Sequence, residues 1–132
     1  MSGFGWVCFF SFVMSYYGTP LWVAAFCGSI EVCRVLVTHG ADVNKMSVTG
    51  STPVHVACCA TKIDVVKFLV GQGADVNRPD HEGSTCLIYS VRSTELCAFL
   101  LEQGVDINAR DSQFKTALHH AVQKDLLETT KL

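Results

Sequence analysis

The sequence predicts an all-α solenoid of repeated helix-turn-helix units, and two motifs with a common period predict it. A box led by threonine occurs four times at intervals of 33, 33 and 31 residues, with its threonines at Thr19, Thr52, Thr85 and Thr116. A glycine-led turn motif recurs with the same period, beginning at Gly40, Gly73 and Gly104. One unit of this size cannot bury its apolar face alone, so neighbouring units must stack side by side.

The first unit shows how each element is encoded. Thr19 is a good helix N-cap, and Pro20 suits the first helical position, where its missing N–H would be unbonded anyway. Apolar residues then recur at helical spacing until Gly28, which we expect to end the helix. A second apolar pattern covers residues 30–37, and Gly40 follows it at a position that favours a left-handed residue.

Later units repeat this pattern with two departures. The third unit is two residues shorter, because residues 90–95 replace the longer turn between its helices, and we expect a shortened or strained helix pair there. The fourth unit stops at Leu132, before the equivalents of Leu36 and Val37. Each buried side chain that is missing forgoes about 1.5–3 kcal/mol, so we expect the fourth unit to be loosely held.

These repeats divide the chain into an apolar leader and one repeat domain. The leader covers residues 1–11 and the domain residues 12–132, with units at 12–44, 45–77 and 78–108 and a truncated unit at 109–132. No charged side chain precedes Glu31, but the apolar run is too short and interrupted to span a membrane, and it lacks the positive start of a signal peptide. We interpret the leader as a cover over the first unit or the remainder of an incomplete chain, and we expect the protein in the cytoplasm or nucleus.

Composition excludes several classes of function. The chain has 132 residues, a net charge of −2 and no run of like charges, which argues against nucleic-acid binding and against a polybasic membrane patch. Its seven cysteines are odd in number and form no pair of CxxC motifs, so we interpret them as reduced thiols without a metal. No nucleophile motif or phosphate-binding glycine loop occurs, so we expect neither enzymatic activity nor a cofactor.

The repeat period and the boxes resemble the ankyrin repeat, a β-turn followed by two helices in about 33 residues. The clearest boxes are Thr-Pro-Leu-Trp at residues 19–22 and Thr-Pro-Val-His at residues 52–55. The resemblance implies β-turn or hairpin loops between the units. It also implies a concave side, lined by these loops and the first helices, that binds other proteins.

A further set of matches resembles the amino-terminal ankyrin units of the Fem family over about residues 19–120. The matches are Pro-Leu-Trp-Val-Ala-Ala at 20–25, Val-Thr-His-Gly-Ala-Asp-Val-Asn at 37–44, Ser-Val-Thr-Gly-Ser-Thr-Pro at 47–53, Ser-Thr-Cys-Leu-Ile at 84–88 and Leu-Leu-Glu-Gln-Gly at 100–104. This resemblance implies a substrate receptor of a cullin–RING ubiquitin ligase that binds the carboxy-terminal degron of its target on the concave side. It implies that a separate box, in a region absent from this chain, recruits the ligase.

The Fem resemblance extends to part of the degron pocket. Trp22 and Ser51 match family residues near the pocket. Where the family has Cys-Phe-Asp-Gly, this chain has Cys-Cys-Ala-Thr at residues 58–61. The aromatic residue is replaced by Cys59, and the acidic residue that helps to read a basic degron is replaced by Ala60, which argues against recognition of arginine-type degrons.

Two chemical interpretations remain open for the first helix of the second unit. His55, Cys58 and Cys59 have the i, i+3, i+4 spacing that could form half of a metal site. The interpretation that we favour is packing, with His55 hydrogen-bonded around Thr52, Cys58 buried and Cys59 exposed. His55 also stands where the Fem pattern usually has a basic residue, so we keep it among the candidate partner contacts.

Trp22 and the turns between units complete the candidate partner-binding residues. Trp22 either packs against the leader, near Phe10 or Phe12, or is an exposed aromatic anchor of the kind that dominates interfaces. Turn tips often contact partners, and here they hold Lys45, Met46, Asp80, His81 and Arg110.

The leading functional interpretation is a module that recognises a protein or its carboxy-terminal degron, as the substrate-binding part of a ubiquitin ligase receptor. The competing interpretation is an ankyrin scaffold or anchoring protein with no ubiquitin role. A metal- or redox-responsive thiol protein is the third. A scaffold-recruiting box in downstream sequence would separate the first two, and metal analysis with a free-thiol count would test the third.

Overall fold

The computed structural model describes residues 19–123, and within this range it contains seven helices and no strand. The first helices of the four units are α1 (Pro20–Cys27), α3 (Pro53–Cys59), α5 (Cys86–Tyr89) and α7 (Ala117–Gln123). The second helices are α2 (Ile30–Thr38), α4 (Ile63–Gly71) and α6 (Thr94–Glu102). The predicted all-α repeat fold is confirmed in these residues.

Two earlier expectations lie outside the described residues. The leader, with Phe10 and Phe12, precedes residue 19, and the end of the fourth unit follows residue 123. The role of the leader and the loose attachment of the fourth unit therefore stay predictions.

The helices pack in two layers. In the first layer α1 packs on α3, α3 on α5 and α5 on α7, so the first helices form a continuous row. Each of α1, α3 and α5 also packs on the second helix of its own unit, and α2 packs on α4. The core lies between the layers, and its fully buried side chains include Leu21, Val54, Val66, Leu69 and Leu96.

Helix boundaries in the first unit follow the predicted signals. The hydroxyl oxygen of Thr19 accepts a hydrogen bond from the backbone N–H of Trp22 at 3.1 Å, which is an N-cap contact. Gly28 ends α1 in the left-handed conformation, with φ of 76°, and Gly40 follows α2 with φ of 93°. These local predictions are confirmed.

The third unit has a shortened first helix, as its length predicts. α5 contains only four residues, and Ser90 follows it directly, with its hydroxyl donating to the Cys86 carbonyl at 2.6 Å. The hydroxyl oxygen of Ser93 then caps α6 by accepting from the backbone N–H of Leu96 at 3.2 Å. Residues 90–95 contain no left-handed residue, so the unit is shortened without that form of strain.

The turns that precede the first helices form a second set of contacts between units. We call these turns fingers and define them as residues 45–51, 78–84 and 109–115. The backbone N–H of His81 donates to the carbonyl of Thr49 at 3.0 Å, and that of Ser112 donates to the carbonyl of Glu82 at 2.8 Å. Gly50 allows this approach, because a Cβ atom there would lie 2.8 Å from the backbone nitrogen of His81.

On the second layer, a cation of one unit covers an aromatic ring of the next. The guanidinium of Arg34 lies 5.4 Å from the ring centroid of Phe68, and the ammonium of Lys67 lies 5.7 Å from that of Phe99. Exposed cation–π contacts contribute about 0.5–1 kcal/mol each. They therefore add modestly to the apolar packing that joins the units.

Two residues adopt left-handed backbone where neighbouring units have glycine. Thr61 has φ of 59° at the position of Gly28, and Phe114 has φ of 61° at the position of Gly50. A residue with a Cβ atom loses about 1–2 kcal/mol in this conformation. The second unit therefore contains avoidable strain at the turn between α3 and α4.

We predict that Thr61→Gly stabilises the protein by up to about 1 kcal/mol, because glycine removes the left-handed strain at the cost of a more flexible unfolded chain. The measurement is the midpoint of urea unfolding followed by circular dichroism. The control is Gln72→Gly, since Gln72 is exposed and has φ of −93°. Glycine is expected to destabilise there, and equal loss of stability in the two variants would contradict the prediction.

Candidate functional site

The structure brings Trp22 and Ser51 together across the first two units. The indole Nε1–H of Trp22 donates to the hydroxyl oxygen of Ser51 at 3.3 Å. Trp22 is only 8% exposed, and its ring stacks on Phe26 with centroids 6.0 Å apart and planes 6° apart. Of the two stacked rings, Phe26 is the accessible one, at 47% exposed. The exposed aromatic side chain that the sequence suggested at Trp22 is therefore found at Phe26, against which the buried Trp22 packs.

Phe26 was missed from the sequence, although its position contained a signal. It stands seven residues after Thr19, and Cys59 stands seven residues after Thr52; the structure leaves both side chains exposed. The repeat alignment could have identified this position as a surface position of the first helices.

Most of the predicted turn-tip residues are accessible. Lys45, His81 and Arg110 are exposed on their fingers, and Met46 is 47% exposed. Val48, on the same finger as Met46, is 59% exposed. The finger at residues 45–51 therefore presents two neighbouring apolar side chains beside a lysine.

Asp80 differs from its prediction as a turn-tip residue, because its side chain points into the protein. One carboxylate oxygen accepts from the backbone N–H groups of Glu82 and Ser84, each at 2.9 Å, and the other accepts from the hydroxyl of Tyr89. Burial, followed by this hydrogen bond and the charge of Asp80, raises the pKa of Tyr89 above its usual range. Asp80 therefore fastens its finger to α5.

Asp111 makes the equivalent contact in the fourth unit. It accepts from the backbone N–H groups of Gln113 and Lys115 at 2.9 and 3.0 Å, and His120 Nε2 lies 2.7 Å from its other oxygen. Burial raises the pKa of Asp111, but the hydrogen bonds from Lys115, His120 and Gln113 outweigh it, so the pKa lies below its ordinary value. The carboxylates of Asp80 and Asp111 are thus both occupied by internal donors.

His55 is fully buried, so it cannot contact a partner, and its hydrogen bonds stabilise the start of α3. Its Nδ1 accepts from the backbone N–H of Thr52 at 3.1 Å and lies 2.8 Å from the Thr52 hydroxyl, as predicted. Its ring meets Tyr89 edge-on, with centroids 5.9 Å apart. Because Nδ1 is an acceptor, the neutral ring has its proton on Nε2, which is buried without a hydrogen-bond partner in the described residues.

Burial lowers the pKa of His55 below its ordinary value of 6.5. The backbone at Arg78, the charge of Asp80 and the backbone at Ser84 oppose this effect without cancelling it. The folded protein therefore holds His55 neutral under conditions in which the unfolded chain binds a proton.

The cysteines of the core have the character of packing residues. Cys58, Cys86 and Cys97 are buried, whereas Cys59 is exposed, as predicted. A hydrogen bond with the Cys58 thiol, together with burial, raises the pKa of Cys86, and burial raises that of Cys97 to about 11. Protonated thiols are poor nucleophiles and poor metal ligands. Residues 19–123 contain no group of three or more His, Cys, Asp or Glu side chains placed to hold a metal ion.

An apolar cavity of about 310 Å³ lies between the third and fourth units. Its lining includes Leu87, Leu101 and Leu118. Leu118 is 56% exposed, although its equivalent in the first unit, Leu21, is 1% exposed. The cavity is thus formed at core positions of the repeat, and we do not include it in the partner site.

We predict that stability falls as the pH decreases below about 6.5, because the unfolded chain then binds a proton at His55 that the folded protein excludes. Above this pH the ring is neutral in the folded and unfolded states, so the dependence disappears. The measurement is the free energy of urea unfolding between pH 7.5 and 5.5. His55→Gln should flatten the slope, whereas the exposed control His39→Gln should keep it, and an unchanged slope in His55→Gln would contradict the prediction.

No helix within residues 19–123 is long and apolar enough to cross a membrane. A family model described as "Ankyrin repeats (3 copies)" matches residues 10–80 and again residues 73–132. Ankyrin repeats are protein–protein interaction modules and are generally non-catalytic. The match, the repeat period and the stacked helix pairs lead to one conclusion: the chain belongs to the ankyrin-repeat family.

Proposed function

We propose that this chain recognises the carboxy-terminal residues of a target protein and serves as the substrate-binding part of a ubiquitin ligase receptor. The observation that supports the binding site is the contact of Trp22 with Ser51, which fixes an aromatic platform at the junction of two units. The resemblance to the Fem family supports the class of ligand and the link to ubiquitin. A cullin–RING ligase would be recruited by a region outside these 132 residues.

We call the binding surface the inner face and define it as the fingers together with the exposed side of the first helices. Phe26 provides a flat aromatic surface, and its ring stacks on the buried ring of Trp22. Large aromatic residues held in place before binding are the usual anchors of interfaces. Met46 and Val48 add apolar area on the neighbouring finger.

The inner face suits an extended peptide. Neighbouring packed helices are about 8–10 Å apart, and an extended chain advances about 3.3 Å per residue, so about three residues pass each unit. A segment of about six to nine residues would therefore cross the first three units. This length matches recognition of a chain terminus better than docking of a large folded surface.

A scaffold or anchoring protein with no ubiquitin role is the second candidate. It is favoured by the departures at Cys59 and Ala60, where the residues for arginine-type recognition are missing. Either function places the protein in the cytoplasm or nucleus, and free cysteines in the described residues agree with a reducing compartment.

We predict that the chain enriches peptides by their last few residues in a screen of a library of carboxy-terminal sequences. The control library contains the same peptides with amidated ends, which should lose binding because the terminal carboxylate is part of the recognised group. The absence of enrichment at the last few residues would contradict the degron function. Binding to internal segments alone would favour the scaffold.

We predict that Phe26→Ala weakens binding of an enriched peptide at least fivefold, the effect expected from loss of an aromatic anchor, and leaves cooperative unfolding intact because Phe26 is half exposed. The measurement is fluorescence anisotropy of the labelled peptide. The matched control is Val35→Ala, since Val35 is 57% exposed on α2 in the second layer, outside the inner face. Equal affinity of Phe26→Ala and the unaltered protein would exclude the platform.

A further inference from the structure

We propose that the segment bound on the inner face is acidic, with acidic residues about three positions apart and an apolar residue near the Phe26 platform. This inference rests on the proposed function and names the chemistry of its ligand. It is carried by the distribution of charge between the second layer and the fingers, together with the contacts that occupy two of the three carboxylates on the fingers.

The second layer and the fingers differ in the sign of their charge. The second layer, with the turns that follow its helices, comprises residues 30–44, 61–77 and 93–108. It contains seven carboxylates, of Glu31, Asp42, Asp64, Asp75, Glu95, Glu102 and Asp106, and three cations, of Arg34, Lys62 and Lys67. The fingers contain the four cations of Lys45, Arg78, Arg110 and Lys115 and the three carboxylates of Asp80, Glu82 and Asp111.

Internal contacts remove two finger carboxylates from the surface. Asp80 accepts from two backbone N–H groups and Tyr89, and Asp111 accepts from two backbone N–H groups and His120. The carboxylate oxygens of both residues point into the protein and already accept hydrogen bonds there. Glu82 is the remaining finger carboxylate, and it is exposed.

Within the described residues, the finger cations have no carboxylate partner. Among residues 19–123, none of the four lies within 4.0 Å of a carboxylate; the ion pairs there join Arg34 to Glu31 and His120 to Asp111. Arg78 donates to the carbonyl of Asn44 at 2.8 Å, and Lys115 to the side-chain carbonyl of Gln123 at 3.3 Å, so these contacts orient the charges without neutralising them. Lys45 and Arg110 are exposed.

The fingers place these charges on successive units, with Lys45 and Arg78 at equivalent positions and Arg110 one residue further along its finger. Backbone hydrogen bonds join each finger to the next, from His81 to Thr49 and from Ser112 to Glu82. The cations are thus held on successive units, each unit corresponding to about three residues of an extended peptide. A basic peptide would meet like charges at every unit, whereas an acidic one would be attracted at each.

Three labelled peptides of one length test this inference on the full 132-residue chain. They share an apolar residue and a free carboxy terminus, and differ only in having Glu, Gln or Lys at every third position. Fluorescence anisotropy at low salt is expected to show the Glu peptide binding about tenfold more tightly than the Gln peptide, as several exposed ion pairs act together. Raising the salt concentration to 0.5 M should largely abolish the difference.

Two double variants test whether the finger cations cause the preference for the Glu peptide. Lys45→Gln with Arg110→Gln should remove most of the preference for the Glu peptide over the Gln peptide. Lys62→Gln with Lys67→Gln removes the same charge from the second layer and should keep the preference. If these two double variants behaved alike, the charge preference would come from the whole protein, and the assignment to the fingers would be wrong.

The outcomes separate this inference from the function on which it rests. If the Gln or Lys peptide binds as tightly as the Glu peptide, the acidic ligand is excluded while terminal recognition stands. If no carboxy-terminal peptide of any charge binds, the proposed function itself fails. A single-stranded oligonucleotide that binds more tightly than the Glu peptide would overturn the inference in favour of a nucleic-acid surface.

Discussion

Each helix pair in this chain buries its apolar side chains against the next pair, because two short helices cannot enclose a core between them. Leu21, Val54 and Leu96 are fully buried only through this stacking. The requirement for close stacking reaches the fingers as well, where Gly50 lets the backbone of His81 approach. The burial of the core, the backbone conformation of the turns and the set of exposed side chains all depend on how closely one unit packs on its neighbour.

The same stacking decides which polar groups remain for a partner. His55 and Asp80 both contact Tyr89 of the third unit, His55 through an edge-on ring contact and Asp80 as the acceptor of a hydrogen bond, so neither side chain is left for a partner. Lys45 and Arg110 lie at exposed finger positions and form no ion pair with any side chain of residues 19–123. Of the charged side chains on the fingers, the fold thus uses Asp80 and Asp111 internally and leaves Lys45 and Arg110 at the surface, which supports a cationic inner face.

Much of the fold could be predicted from the sequence. Threonine-led boxes located the first helices, and glycine positions located two turns, because caps and left-handed residues depend on local backbone chemistry. The site was predicted less completely. The sequence named Trp22 and Ser51, which the structure joins by a hydrogen bond, but it did not single out Phe26 and it placed Asp80 at the surface, since the orientation of a side chain depends on what the neighbouring unit presents.

The sequence by itself determined the repeat period, the order of helices and the shortened third unit, because these features depend on spacing along one chain. Only the tertiary structure decided which of the residues at equivalent positions in the repeat are exposed. The pair Thr52–His55 and the pair Thr116–His119 have the same internal distances, yet His55 is buried and His119 exposed. Burial is a property of the neighbour that covers a residue, and no single unit of the sequence contains that information.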